Sequence, residues 1–321
     1  MAVTYEAAPA APELTPPPSK TAGQKRQNIA FAYLAPIIIS VIIFTIIPFF
    51  YTLYIAFTNY HLIYHFADFN WIGWDNFERV FVTGEEFVPV LRWTVIWMVA
   101  TTVLNVGGGM ALAMMLNHPG LRERNLYRTL LILPWALPNI LLIQVWAGIF
   151  NSQGPLNLLL GYAGIERVRW LTEDTPARSA LLMVNLWLSY PFFMTVGLAA
   201  LQAIPRDLYE VADLDGAGAW ARFRDITVPF LVAAIVPLLI TQLAFQFSNA
   251  GIVILLTNGL PQASPGSSYG VTDTLASFAY KLVYVERDMG FAAAYGIVIF
   301  VFIAIFIVLA ATLTKSFKEV D

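Results

Sequence analysis

Six stretches of this chain contain no Asp, Glu, Lys or Arg, and each could cross about 30 Å of hydrocarbon, which takes about 20 helical residues. They lie near residues 29–57, 93–116, 129–150, 179–205, 226–257 and 289–314. Backbone N–H and C=O groups find no water in hydrocarbon, so such stretches fold as helices whose hydrogen bonds close internally. Composition agrees, with 58% apolar and 12% charged residues against about a quarter charged in soluble domains. The expectation is an all-α integral membrane protein with six transmembrane helices, bounded by membrane lipid. Pro48, Pro134, Pro138, Pro191 and Pro237 lie in or near the spans and are expected to bend them.

Residues 1–28 are rich in Ala and Pro and read as a disordered tail, with residues 29–321 forming the transmembrane domain. The first apolar stretch is too long for a signal-peptide core and reads as a retained anchor. Basic residues then orient the spans. Lys20, Lys25, Arg26, Arg122, Arg124, Arg128, Arg206, Arg222, Arg224, Lys315 and Lys318, eleven of the 18, fall in the two tails and the loops at 117–128 and 206–225. Both termini and both loops are therefore expected on the cytoplasmic side of a multi-pass protein of a bacterial or archaeal inner or plasma membrane. A net charge of −3 suggests no nucleic-acid partner. Without cysteine there is no thiolate chemistry, and the scattered His61, His65 and His118 have no metal-ligand spacing. Gly107-Gly108-Gly109 suits close helix packing, and Trp71, Trp74, Trp93, Trp97 and Tyr60 suit an interfacial belt.

The 206–225 loop carries a short acidic helix. Pro205 suits its start, Gly216 and Gly218 its stop, and Leu208, Val211, Ala212 and Leu214 can gather on one side. Membrane-surface helices are usually rich in Lys and Arg on their polar face, whereas Glu210, Asp213 and Asp215 make this one acidic. An interfacial helix and a protein-docking helix both remain open on geometry alone.

Glu210-Val211-Ala212, then Gly216, then nine residues to Ile226-Thr227-Val228-Pro229, resembles the signature of permease subunits of binding-protein-dependent ABC importers. Val211 and Val228 are conservative departures from it. Residues from about 181 to 318 resemble the maltose/maltodextrin type of sugar permease, through Tyr190-Pro191, Ala203-Ile204-Pro205, Leu255-Leu256-Thr257-Asn258-Gly259 and the run from Gly290 to Ala294. The resemblance implies the MetI-like ABC permease fold with a cytoplasmic coupling helix near 207–218, in which Glu210, Ala212, Asp213 and Gly216 connect to an ATPase. It also implies a second permease subunit, two copies of the ATPase subunit holding ATP and Mg, and a soluble or lipid-anchored sugar-binding protein. The loop at 58–91 is short where some members carry a large extracytoplasmic domain.

Polar residues inside spans are costly and mark pathways. Asn185, Ser189 and Phe192 stand at i, i+4 and i+7, and Gln242, Gln246 and Asn249 repeat that interval with Phe245 beside them, so each set shares a helix face. Amides and hydroxyls match sugar hydroxyls, and rings match sugar C–H faces; the same amides also serve as glue between helices. The resemblance favours a sugar site, although Ser189, Phe192 and Gln246 stand where Gly, Tyr and Asn are usual.

The chain carries no phosphate-binding Gly-x-x-x-x-Gly-Lys-Ser/Thr loop, so ATP hydrolysis would belong to a partner and the chain itself is not an enzyme. The expected function is translocation of maltose/maltodextrin-type oligosaccharides delivered by the binding protein. An ion-coupled secondary transporter of a small polar solute is the alternative, weakened because proton coupling normally needs a buried titratable group and the spans lack acidic residues and His.

Overall fold

The computed structural model describes residue 31 and residues 33–313. The proposed tail at 1–28, and Lys315 and Lys318, lie outside them. The chain divides after Thr52 into two compact units. Helix α1, Tyr33–Ile55, supplies the described part of the first and crosses the division. It contains a π-helical turn at Ile42–Ile46, where the Ile47 N–H bonds to Ile42 O, directly before Pro48. Proline cannot donate to the carbonyl four residues back, and a widened turn accommodates this. The same solution recurs at Phe223–Thr227, where Val228 N–H bonds to Phe223 O before Pro229.

In the second unit the elements are α2 (Asp75–Glu78), α3 (Phe87–Leu116), α4 (Arg124–Ala136), α5 (Asn139–Ile149), α6 (Pro155–Tyr162) and α7 (Asp174–Ala203). They continue with α8 (Arg206–Leu214), α9 (Ala219–Ser248), α10 (Gly251–Leu256), α11 (Leu275–Lys281) and α12 (Met289–Leu313). Among the described residues, five helices are long and apolar enough to cross a membrane, or up to six if the bent pair α4–α5 is one span.

Helices α3 and α7 form the most extensive pair and α9 lies against both. Two glycines set that approach. A Cβ on Gly109 would sit 2.5 Å from Phe193 Cβ, and one on Gly197 would sit 2.5 Å from Met110 Cε. Of the glycine triplet only Gly109 faces backbone: Gly108 meets a flexible Leu186 methyl and Gly107 meets nothing within 4 Å.

The helices depart from the expected spans in two informative ways. The stretch 129–150 is two helices meeting at 95°, broken at Leu137 and Pro138. Leu137 is extended (φ −110°, ψ 150°), as the steric demand of a following proline requires. The stretch 226–257 is also interrupted: α9 ends at Ser248, Asn249 is extended, and α10 starts afresh. Pro134, Pro191 and Pro237 lie inside uninterrupted helices. Helices α3 and α7 begin earlier than expected and take in Arg92, Asp174 and Arg178.

Trp93 and Trp97 do not join an interfacial belt. They are buried against Leu181 and Val184 of α7, and Trp93 Nε1 donates to Thr272 O at 3.1 Å. Trp71 and Trp74 are exposed, with Trp71 stacked on Phe57. The short 58–86 connection is a packed cap. Asn76 Nδ2 donates to Ala56 O and Thr58 O, and Arg79 pairs with Asp288 at 2.7 Å while lying over the Phe291 ring.

Candidate functional site

The two broken helices flank the same stretch of α7. Between them lies a cavity of about 460 Å³, within the roughly 300–1,000 Å³ of small-molecule sites. α7 contributes Asn185, Ser189, Phe192 and Phe193; α9 and its broken end contribute Gln242, Phe245 and Asn249; Trp135 and Asn139 come from either side of the α4–α5 break. The two half-helices brace each other, with Gln144 Nε2 of α5 donating to Leu255 O of α10 at 3.2 Å. No lining residue is charged. Amides and a hydroxyl face a wall of rings, in which Trp135 and Phe192 are 5.8 Å apart and Phe192 meets Phe193 edge-on at 5.1 Å.

Six of the seven residues expected to form a sugar site therefore line one cavity. The seventh, Gln246, stands behind it. Gln246 is fully buried, its Oε1 accepts from Asn185 Nδ2 at 3.4 Å, and its Nε2 donates to Asn185 Oδ1 at 3.3 Å. On the other flank Asn105 Nδ2 donates to the same Oδ1 at 2.9 Å. Three buried amides thus cross from α3 through α7 to α9, and only the middle one reaches the cavity. Sequence reasoning missed Trp135, Asn139 and Asn105. The Pro134–Pro138 pair, with an aromatic and an amide beside it in an apolar stretch, is the signal for the first two; Asn105 offers only a lone amide.

The second expected site, at 206–225, is a nine-residue helix. Its end is a Schellman motif: Gly216 N–H bonds to Asp213 O and Ala217 N–H to Ala212 O, with Gly216 at φ +71°. Nothing lies within 4 Å of a Cβ built on Gly216, so within this chain the glycine serves the left-handed turn. Asp213 is engaged by Arg222, and Tyr209 Oη and Thr227 Oγ1 are 2.9 Å apart, so α8 is fastened to the start of α9. Glu210 is exposed and Ala212 is half-buried. Leu208, Val211 and Leu214 are also exposed, Leu214 at 88%. α8 is thus an acidic helix that presents exposed apolar side chains and is tied by side-chain contacts to the start of α9.

Residues 105–319, which contain both sites, match the family of binding-protein-dependent transport system inner membrane components. The chain belongs to this family. Permease relatives include the galactooligosaccharides transport system permease protein GanP of Bacillus subtilis (strain 168), 39% identical over 87% of this chain and 68% of that protein. The maltose/maltodextrin transport system permease protein MalF of Klebsiella aerogenes is 39% identical over 72% of this chain and 47% of that protein. The chain thus spans about half the length of such MalF proteins. Among solved structures, it is similar to a chain of a bacterial ABC transporter involved in the import of the acidic polysaccharide alginate, with a TM-score of 0.79, 25% identity, and 92% and 98% of the two chains covered. The permease fold, with its broken helices and short connecting helix, is that of an inner membrane component of an ABC importer.

Proposed function

We propose that this chain is a membrane-spanning permease subunit of an ATP-driven importer of neutral oligosaccharides, received from a sugar-binding protein. The observation that carries the reading is the cavity between the two broken helices, where five polar but uncharged side chains face four aromatic rings. Sugar hydroxyls exchange hydrogen bonds with amides, and ring faces cover sugar C–H groups. An acidic glycan would demand a cation, and the lining holds none. In this reading Asn185, Ser189, Phe192, Gln242, Phe245 and Asn249 contact sugar, and Gln246 and Asn105 hold Asn185 in place. Relatives named for galactooligosaccharides and for maltose/maltodextrin stand at equal identity, so maltodextrin-type substrates are the finer form of the proposal.

Helix α8 supplies the motor connection. Glu210, Ala212, Asp213 and Gly216 form the part that meets an ATPase subunit, on the cytoplasmic side indicated by the basic residues of the flanking loops. ATP and Mg belong to two copies of that subunit, and a second permease completes the pathway. ATP binding favours one of two global states, and α8, fastened to α9 through Arg222 and Thr227, carries the change into the spans. The chain itself performs no chemistry.

The test is reconstitution with the partner permease, ATPase and binding protein in proteoliposomes. Uptake of labelled maltotriose, a galactose trisaccharide and a uronate trisaccharide is followed with and without ATP. The expected result is ATP-dependent entry of a neutral sugar and exclusion of the uronate. Uptake driven by an ion gradient without ATP, or equal entry of the uronate, would overturn the reading.

A further inference from the structure

A second polar cavity, of about 830 Å³, opens where α3 ends, α4 begins, and α7 turns into α8. Arg124 and Arg206 both line it, with Asn117, Gln202 and Tyr209, and no carboxylate is among the lining residues. The Arg206 side chain has no hydrogen bond or ion pair among the described residues. Among the described residues the Arg124 side chain makes one hydrogen bond, a long contact of 3.5 Å from Nη2 to Asn117 O. Of the other arginines near this end, Arg222 pairs with Asp213 and Arg224 with Asp225, while Arg122 and Arg128 have no ion pair among the described residues. A pocket lined by two guanidiniums and no carboxylate is electropositive and attracts an anion.

We infer that this pocket binds the headgroup of an anionic phospholipid. Its level fits, because α3 stops at Leu116 and α7 at Ala203, where their apolar stretches give way to polar loops. Its chemistry fits, because guanidinium groups bind phosphate oxygens in a bidentate manner and Asn, Gln and Tyr add neutral donors. Basic pockets between helices at the membrane surface are a known setting for such headgroups. A headgroup held there bridges α4 to the first residue of α8 and so steadies the segment that links α7 to α9.

The purified full chain in detergent is titrated with dioleoylphosphatidylglycerol and, separately, with dioleoylphosphatidylcholine, and bound lipid is counted by native mass spectrometry. Tight retention of phosphatidylglycerol alone is expected. The Arg124→Gln/Arg206→Gln double variant should lose that preference by about 30-fold, given the strength of a single basic residue at a membrane surface. Arg124→Lys/Arg206→Lys should keep most of it and serves as the control for folding. Undiminished retention in the Gln variant, or equal retention of both lipids by the parent chain, overturns the proposal. Displacement of the lipid by millimolar inorganic phosphate would assign the pocket to free phosphate instead and also overturns it. If the pocket is filled by acidic side chains of a partner subunit, the Gln variant loses partner association while its lipid retention is unchanged, which overturns it too.

Discussion

Asn105 Nδ2 donates to Asn185 Oδ1 across 2.9 Å, and both side chains are buried between α3 and α7. Asn185 is the member of this pair that lines the large uncharged cavity, so Asn105 acts on that site without touching it. Asn105→Ala is expected to raise the KM for sugar uptake by about fivefold, as loss of one buried partner costs on the order of 1 kcal/mol. The thermal midpoint of the purified chain should fall only slightly, since interhelical hydrogen bonds in membranes average about 0.6 kcal/mol. A lowered midpoint with unchanged KM would make the pair simple helix glue.

Gly109 and Gly107 are two residues apart and make opposite predictions. A Cβ at Gly109 would sit within 2.9 Å of Phe193 backbone carbon and 2.8 Å of Met194 N, while at Gly107 it meets open space. Gly109→Ala is expected to destabilise the α3–α7 pair by about 1–3 kcal/mol, whereas Gly107→Ala should be neutral. Thermal unfolding in detergent, run side by side, checks this; equal effects would contradict the packing.

In α8, Glu210 is exposed and carries no ion pair among the described residues, so Glu210→Lys should leave the fold intact. It should nevertheless cut ATP-driven uptake by about tenfold or more, through a charge misplaced at a protein interface. Normal uptake together with normal retention of the ATPase on an affinity column would remove Glu210 from the interface. Gly216→Val tests the Schellman turn. Its left-handed φ of +71° costs a β-branched residue about 1–2 kcal/mol, and Gly216→Asn should be milder.

Asp273 is fully buried and holds the loop after α10 together. Its carboxylate accepts from Gly270 N–H, Ser277 Oγ and Lys281 Nζ, the last at 2.6 Å. Lys281→Met leaves that charge without its partner and should cost about 3–5 kcal/mol. The Asp273→Asn/Lys281→Met double variant should recover part of the loss. Thermal denaturation of the three proteins tests it, and additive losses would mean that the two side chains act independently.

Much of the cavity was legible in the chain because helical periodicity is fixed. Asn185, Ser189 and Phe192 share a face at any helix orientation, and so do Gln242 and Asn249. Periodicity does not say how deep a residue sits. Gln246 follows Gln242 at i+4, yet α9 turns it inward to Asn185 while Gln242 faces the cavity. The far wall was hidden for another reason. A run of apolar residues from 129 to 150 looks like one span, and only the 95° break at Leu137–Pro138 brings Trp135 and Asn139 to face α7.

What the sequence determined by itself was the membrane class, the helical fold and the acidic connecting helix, because hydrocarbon admits few backbone solutions and charge excludes the rest. Tertiary structure decided which amides are open and which are engaged, where two apolar runs break, and that Trp93 and Trp97 turn inward instead of joining the lipid interface. Those outcomes depend on contacts between residues far apart in the chain, such as Asn105 with Asn185 and Trp93 with Thr272, whose meeting no local pattern encodes.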